Sequence, residues 1–188
     1  THNFTVNQRV VSVSGTRLYD ATTNAVASDL STHANLVGSE TLTLSGTGTI
    51  ASKNVGSNKT VSVGSLSLGN GSNGGLGANY TLSGGTHRLT VNQRPLNATL
   101  ARQYDGTTNA AGSDLSSFDA LQGGESLTMT GTGTVASKDV ANGRSVTVGS
   151  LALANGGSGG LASNYSLNTA SLNITQRIIN LSGTRLYD

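Results

Sequence analysis

"TVSVGSLSLGN" (residues 60–70) and "SVTVGSLALAN" (residues 145–155) are one phrase written twice, 85 residues apart. In each, apolar residues alternate with polar ones, as the side chains of a half-buried strand must. Val61 and Val63 hold odd positions, and Leu66 and Leu68 then continue on even ones. The same slip of phase separates Val148 from Leu151. A regular strand cannot change phase and keep one face on a core. The slip, beside Gly64 and Gly149, therefore predicts a β-bulge or a strand that bends from one sheet into another. Such corners belong to small sandwiches, where two sheets close on each other.

Working outward, the alternation continues through Leu42, Leu44 and Ile50, and through Leu127, Met129 and Val135 in the second copy. Tyr19, Tyr104 and Tyr187 mark the period, with spacings of 85 and 83 residues, and Gln8-Arg9, Gln93-Arg94 and Gln176-Arg177 keep the same spacings. "LYDATTNAVASDLS" answers "QYDGTTNAAGSDLS", and "GTGTIASKNV" answers "GTGTVASKDV". The difference in length falls where "SGGTHRLTVNQR" gives way to "NTASLNITQR", a place for a loop. The organisation expected is 1–9 as the tail of a preceding repeat, 10–94 and 95–177 as two full repeats, and 178–188 as the start of a following one, a window on a longer array. Leu89 and Val91 run almost directly into Leu96, Ala98 and Leu100, with only Pro95 at the joint and no flexible linker. Tight joints predict an extended, stiff string of domains.

The fold expected is all-β: two tandem small antiparallel β-sandwich domains of Ig-like character. The alternative is a β-grasp-like unit with one short helix. That alternative rests on "SDLSSFDALQGG" (113–124), where Leu115, Phe118 and Leu121 recur every third residue between a Ser or Asp cap and a glycine. Its partner puts His33 where Phe118 stands, which leaves a helical turn and an irregular crossing both open.

Composition excludes several functions. The 188 residues are 35% hydrophobic, 4% aromatic and 11% charged, with 26 glycines, a composition of turns and strands rather than of a coiled coil or a charged disordered tail. The net charge is only +2 and the cations are scattered, so no nucleic-acid groove is indicated. There is no cysteine, hence no disulfide and no thiolate metal site. No apolar run is long enough to span a bilayer as a helix, and residues 1–9 show no export signal.

"QYDGTTNA", followed by "GTGTVASKDV", "SVTVGSLAL" and "LASNYSLN", resembles the YDG-type repeat of large bacterial haemagglutinin-like exoproteins and adhesins, some of them exported by two-partner secretion. The resemblance covers nearly the whole of both repeats. It implies an exported, all-β, repetitive protein at the bacterial cell surface or secreted, which holds functional regions away from the cell; it does not imply catalysis, and no enzyme is expected. The first copy departs from the pattern, with Ala21 where the second has Gly106. That departure suggests the turn does not need glycine.

Candidate chemistry is sparse. His2, His33 and His87 have no counterparts in the second repeat, which points to loop positions and excludes a histidine site common to both. "GGSGG" (156–160) and "GNGSNG" (69–74) match nucleophile and phosphate motifs by letter, but lack the strand-to-helix setting that gives those motifs meaning. Asp20 and Asp105, Asp29 and Asp114, and Glu40 and Glu125 recur, yet are too far apart in sequence to define a calcium loop, so neither metal nor cofactor is expected. Asp105 is read as a turn acceptor and Asp114 as a cap. Lys53 and Lys138 each precede Asn54 or Asp139, which allows an intramolecular cross-link or, with less demand on desolvation, a salt bridge. Tyr80 and Tyr165 are weak candidates to stack on a sugar; a core role is the stronger reading. The function expected is that of stalk repeats of an adhesin in attachment or biofilm, partnered by neighbouring repeats. The alternative is a glycan- or matrix-binding module acting through the repeated loops and tyrosines.

Overall fold

The computed structural model describes residues 2–33 and 35–186. Tyr187, the third marker of the period, and Asp188 lie outside them. The chain forms two compact units that divide between Arg94 and Pro95, and each is a curled β-sandwich.

Unit 1 runs through β1 (Arg9–Val10), β2 (Ser12–Leu18), β3 (Asn24–Val26), β4 (Leu30–His33), β5 (Leu42–Ser45), β6 (Thr47–Ile50), β7 (Gly56–Ser62), β8 (Ser67–Asn70), β9 (Tyr80–Thr81) and β10 (Arg88–Asn92). Six of these form one sheet in the order β3-β6-β7-β10-β2-β4, while β5 pairs with β8 and β1 with β9. Unit 2 repeats the plan with β11 (Arg94–Gln103), β12 (Asn109–Ala111), β13 (Leu115–Phe118), β14 (Leu127–Thr130), β15 (Thr132–Val135), β16 (Ala141–Thr147), β17 (Ala152–Asn155) and β18 (Tyr165–Thr175). Its large sheet runs β12-β15-β16-β18-β11-β13, and β14 pairs with β17.

The phase slip is a corner between sheets. β7 belongs to the large sheet and β8 to the small one, and Gly64 turns between them at φ +56°. The partner strand bends at the same level, where Gly46 separates β5 from β6 at φ +86°. Register moves by one residue across the corner, from Ser45 opposite Ser67 to Thr49 opposite Ser62. Ser65 pins it: its amide donates to the Thr47 carbonyl at 3.0 Å and its hydroxyl accepts from the Thr47 amide at 3.0 Å. A Cβ on Gly46 would lie 2.2 Å from the Ser65 carbonyl oxygen, so the corner closes only over glycine. Gly131, Gly149 and Ser150 build the same corner in unit 2, with Ser150 on Thr132 at 3.0 Å in both directions.

The cores are the alternating residues. Val11, Val13, Tyr19, Leu89 and Val91 are buried in unit 1; Ala98, Leu100, Leu172 and Ile174, packed with Met129, Val135 and Leu151, fill unit 2. Burying one such aliphatic side chain stabilises a fold by about 1.5–3 kcal/mol, which lets a small sandwich stand with few aromatics.

Two expectations change. The sandwich is not wholly antiparallel: β2 and β10 pair in parallel over five residues, Ser14 opposite Arg88 to Leu18 opposite Asn92, and β1 and β9 are parallel too. Alternation could not show this, because parallel and antiparallel neighbours bury the same residues. The stretch 113–124 is not an α-helix. It holds a three-residue 3-10 turn, Gly112–Asp114, and then β13, which pairs with β11. Asp114 sits inside that turn, its carboxylate accepting from the Ala111 amide at 3.2 Å, so it closes the turn from within. Four such 3-10 turns are the helical segments among the described residues, and none supplies the helix of a β-grasp unit.

Candidate functional site

A polar cluster lies where the first long strand of each unit ends, at Arg17–Thr22 and at Arg102–Thr107. Arg17, near the end of β2, has only 5% of its side chain exposed and pairs with Asp20. Its guanidinium also donates to the Thr22 carbonyl at 2.7 Å, while the Thr22 amide and hydroxyl donate to Asp20 Oδ1 at 2.9 and 3.0 Å. Aspartate accepts amides two residues on because its short side chain can mimic a turn of backbone. Tyr19, between them, points into the core and is fully buried. Lys53 Nζ lies over its ring, 5.9 Å from the centroid. The Tyr19 backbone is held by Asn92 and Arg94, through bonds of 2.9 and 2.6 Å.

Unit 2 repeats the cluster. Arg102, 8% exposed in its side chain, pairs with Asp105 and donates to the Thr107 carbonyl at 2.8 Å. Asp105 accepts the Thr107 amide and hydroxyl, both at 2.9 Å. Lys138 Nζ stands 5.8 Å from the Tyr104 ring centroid, and the Tyr104 amide donates to the Thr175 carbonyl at 2.9 Å.

Burial pushes the Asp20 carboxyl upward, but the Thr22 amide, the Arg17 guanidinium and the Thr22 hydroxyl together hold it below the usual range. The Thr107 amide does most to hold Asp105 down, against some desolvation and aided by the Thr107 hydroxyl and Arg102. Asp29 moves the other way, raised by burial despite the nearby Arg17. The arrangement is a clasp in which cation, anion and turn bind one another, although the buried Nε of Arg17 and of Arg102 finds no acceptor, and it joins β2 to the start of β3.

The other predicted residues have definite places. Tyr80 and Tyr165 are 4% and 2% exposed, so neither offers a ring face to a sugar. The Tyr80 hydroxyl donates to Glu40 and accepts the Val37 amide at 3.1 Å, and the hydrogen bond to Glu40 raises its pKa above the usual phenol value. Tyr165 donates to the buried Glu125 at 2.9 Å and accepts the Gln122 amide at 3.1 Å. These pairs tie the loop before β5, and that before β14, to the core. Lys138 is exposed and faces Tyr104 rather than a carboxylate, and Lys53 has the Tyr19 ring beneath its ammonium. A cross-link needs a desolvated amine, which the exposed Lys138 does not supply, whereas Lys53 is half-buried.

The glycine-rich loops are closed turns. Gly71 donates to the Gly75 carbonyl at 3.0 Å and Gly156 to the Gly160 carbonyl at 3.1 Å, with Asn73 and Ser158 left-handed at their tips. Among the described residues no three of His, Asp, Glu or Cys gather as a metal site would require.

His87 lies in the loop between β9 and β10, as expected of a loop residue, but it is buried rather than solvated. It is 5% exposed, accepts the Val13 amide at Nδ1 over 3.3 Å, and so presents its Nε2 proton to the Leu82 carbonyl at 2.9 Å. The side chain of His33 lies outside the described residues. Sequence reasoning also missed Arg17 and Arg102, although the spacing Arg-x-Tyr-Asp recurs in both repeats.

A family model described as the YDG domain matches residues 4–88 and 86–172. The chain belongs to the YDG domain family. No curated protein and no solved structure matches it. The clasp gives the YDG triplet its physical content: Tyr104, half-buried, packs against the core, Asp105 pairs with Arg102, and Gly106 turns the chain at φ +80°. In the first YDG copy Ala21 stands at φ +62°. The turn forms with alanine, as the departure from the pattern suggested, but in the left-handed conformation, which costs a residue with a Cβ more than it costs glycine.

Proposed function

We propose that these YDG units are structural extender repeats of a bacterial surface or secreted adhesin, which hold a binding region away from the cell and so serve attachment or biofilm formation. Their role is mechanical rather than catalytic, and their partners are the neighbouring repeats of the same chain. Host or matrix glycans would be met elsewhere in the parent protein.

The observation that carries this reading is the parallel pairing of β2 with β10. The first long strand of the unit and the last lie side by side and point the same way over five residue pairs. Tension that enters before β2 and leaves after β10 pulls the two strands in opposite directions along their length. All the hydrogen bonds between them are then loaded together, and the first cannot fail until nearly all do. The Tyr19 clasp stands at the far end of this pair, where Asn92 and Arg94 bind the Tyr19 backbone.

Single-molecule pulling tests the reading. Stretching the whole chain from its ends should give two unfolding events of high force. Pulling through cysteines introduced at Ser12 and Thr86, which stand at the leading ends of the two parallel strands, should peel them apart one bond at a time and at lower force. Equal forces in the two directions would defeat the mechanical role.

A further inference from the structure

The stretch "GNGSNG" (69–74) is not a phosphate loop, but it holds two of the four Asn-Gly pairs in the chain, at Asn70 and Asn73; the others stand at Asn142 and Asn155. Asparagine before glycine can react with its own backbone, because glycine has no Cβ to keep its amide nitrogen away from the asparagine Cγ. That nitrogen must be unbound to react, as it must be to exchange its proton.

The fold holds three of the four nitrogens. The Gly71 and Gly156 amides donate to the carbonyls of Gly75 and Gly160 at 3.0 and 3.1 Å. Their asparagines are fixed as well, since Asn70 Oδ1 accepts the Gly77 amide and Asn155 Oδ1 the Ala162 amide, both at 2.9 Å. The Gly143 amide donates to Asn173 Oδ1 at 2.7 Å. Gly74 differs. The Gly75 amide closes a turn on the Ser72 carbonyl at 3.1 Å, with Asn73 and Gly74 left-handed at its two central places, φ +56° and +83°. Such a turn uses the amide of its last residue and leaves that of the second central residue outside the closing bond. Gly74 accordingly has no hydrogen-bond partner among the described residues, is exposed, and would have nothing within 4 Å of a Cβ.

We propose that Asn73 is a site of spontaneous deamidation, which gives unit 1 a slow, one-way change of charge at its glycine-rich loop. The Gly74 nitrogen loses its proton to water and attacks Asn73 Cγ. The new N–Cγ bond closes a succinimide, the Cγ–Nδ2 bond breaks, and Nδ2 takes up a proton and leaves as ammonia. Water then opens the ring at either carbonyl and leaves aspartate or isoaspartate; water is the only co-reactant. The change has a structural consequence. Asn73 Nδ2 donates to the Ser39 carbonyl at 2.9 Å, which ties this loop to the one before β5. A carboxylate cannot donate there, and it adds a negative charge facing the residue before Glu40. The segment Val37–Glu40, held by Tyr80, is thereby loosened. Unit 2 has Ser158 at the same place, with no amide to lose.

The test is ageing of the full chain in mildly alkaline buffer, with peptide mapping by mass spectrometry and enzymatic methylation of isoaspartate. Asn73 should convert several-fold faster than Asn70, Asn142 and Asn155, and in urea the four should converge. Gly74→Ala, checked for folding by circular dichroism, should slow conversion at Asn73 alone. Asn73→Asp should speed amide exchange at Val37 and Glu40 several-fold and leave Gln122 and Glu125 unchanged. Conversion at Asn73 no faster than at the other three, a ranking that persists in urea, or an Asn73→Asp chain that exchanges like wild type at Val37 and Glu40 would each overturn the proposal.

Discussion

Exchanging the residues of the clasp turn, Ala21→Gly in unit 1 and Gly106→Ala in unit 2, isolates backbone conformation from packing. Both positions are left-handed, at φ +62° and +80°, and a Cβ on Gly106 would meet nothing within 4 Å. Steric contact with a neighbour therefore cannot cause the effect. A left-handed residue with a Cβ costs about 1–2 kcal/mol relative to the right-handed form. Alanine recovers roughly 0.4–1 kcal/mol of that, because it has less freedom to lose from the unfolded chain. The net is about 1 kcal/mol in favour of glycine in each unit. For a domain of this size, that moves a melting transition by roughly 4–8 °C. Calorimetry should show Ala21→Gly raising one transition and Gly106→Ala lowering the other. Amide exchange at Leu89 and Leu172, one buried core residue from each unit, assigns the change to its unit. A Gly106→Ala variant as stable as wild type would refute the reasoning, since it would mean that the turn relaxes to a negative φ at no cost.

Tyr165→Phe removes a buried hydroxyl that donates to Glu125 and accepts the Gln122 amide, and should destabilise unit 2 by about 1.5–3 kcal/mol in urea unfolding, with faster amide exchange at Gln122. His87→Leu should lower unit 1 by about 1–3 kcal/mol and leave the second transition in place, because it strips the buried Val13 amide of its acceptor. Acid should act through the clasp. Asp20 and Asp105 have lowered folded pKa values, so the stability they give is full above roughly pH 4 and is lost as pH falls through those lowered values. Asp29, raised by burial, favours folding on its protonated side and offsets part of that loss in unit 1, so acid titration followed by circular dichroism should show the steeper fall in unit 2, and Asp105→Asn should flatten it.

The large features were legible because they are periodic. Alternation located the strands, and a change of phase beside a glycine located the corner. Strand direction was not legible, because burial is blind to it, and so the β2–β10 pair came as news. The 113–124 stretch misled for a related reason: Leu115 and Phe118 are spaced as on a helix, yet in β13 both are half-buried at its two ends. Pairs such as Glu125 and Tyr165, 40 residues apart, meet only through the fold. His87 was misjudged because comparing the repeats discounts what only one copy has. In unit 2, β18 runs unbroken from Tyr165 to Thr175, whereas unit 1 breaks after Thr81 and resumes at Arg88. The histidine sits in that break and ties it to the sheet by binding the Leu82 carbonyl and the Val13 amide of β2.

Gly15 and Leu100 show how two copies of one plan fill the same volume differently. In unit 1 the β2–β4 ladder runs without a break from Ser12 opposite His33 to Gly15 opposite Leu30, and the Asp29 carbonyl comes down onto the bare glycine. A side chain at that point must push the carbonyl away. Unit 2 carries Leu100 there, and its ladder skips a residue at that step, from Thr99 opposite Ser117 to Leu100 opposite Leu115. The bulge makes room for the leucine, and the leucine fills the room with apolar volume. Each solution is consistent within itself, and neither tolerates the other's residue. Repeats that share their corners and clasps can thus differ at the core position that decides which strand belongs in which slot, which limits mispairing between neighbours of nearly the same sequence.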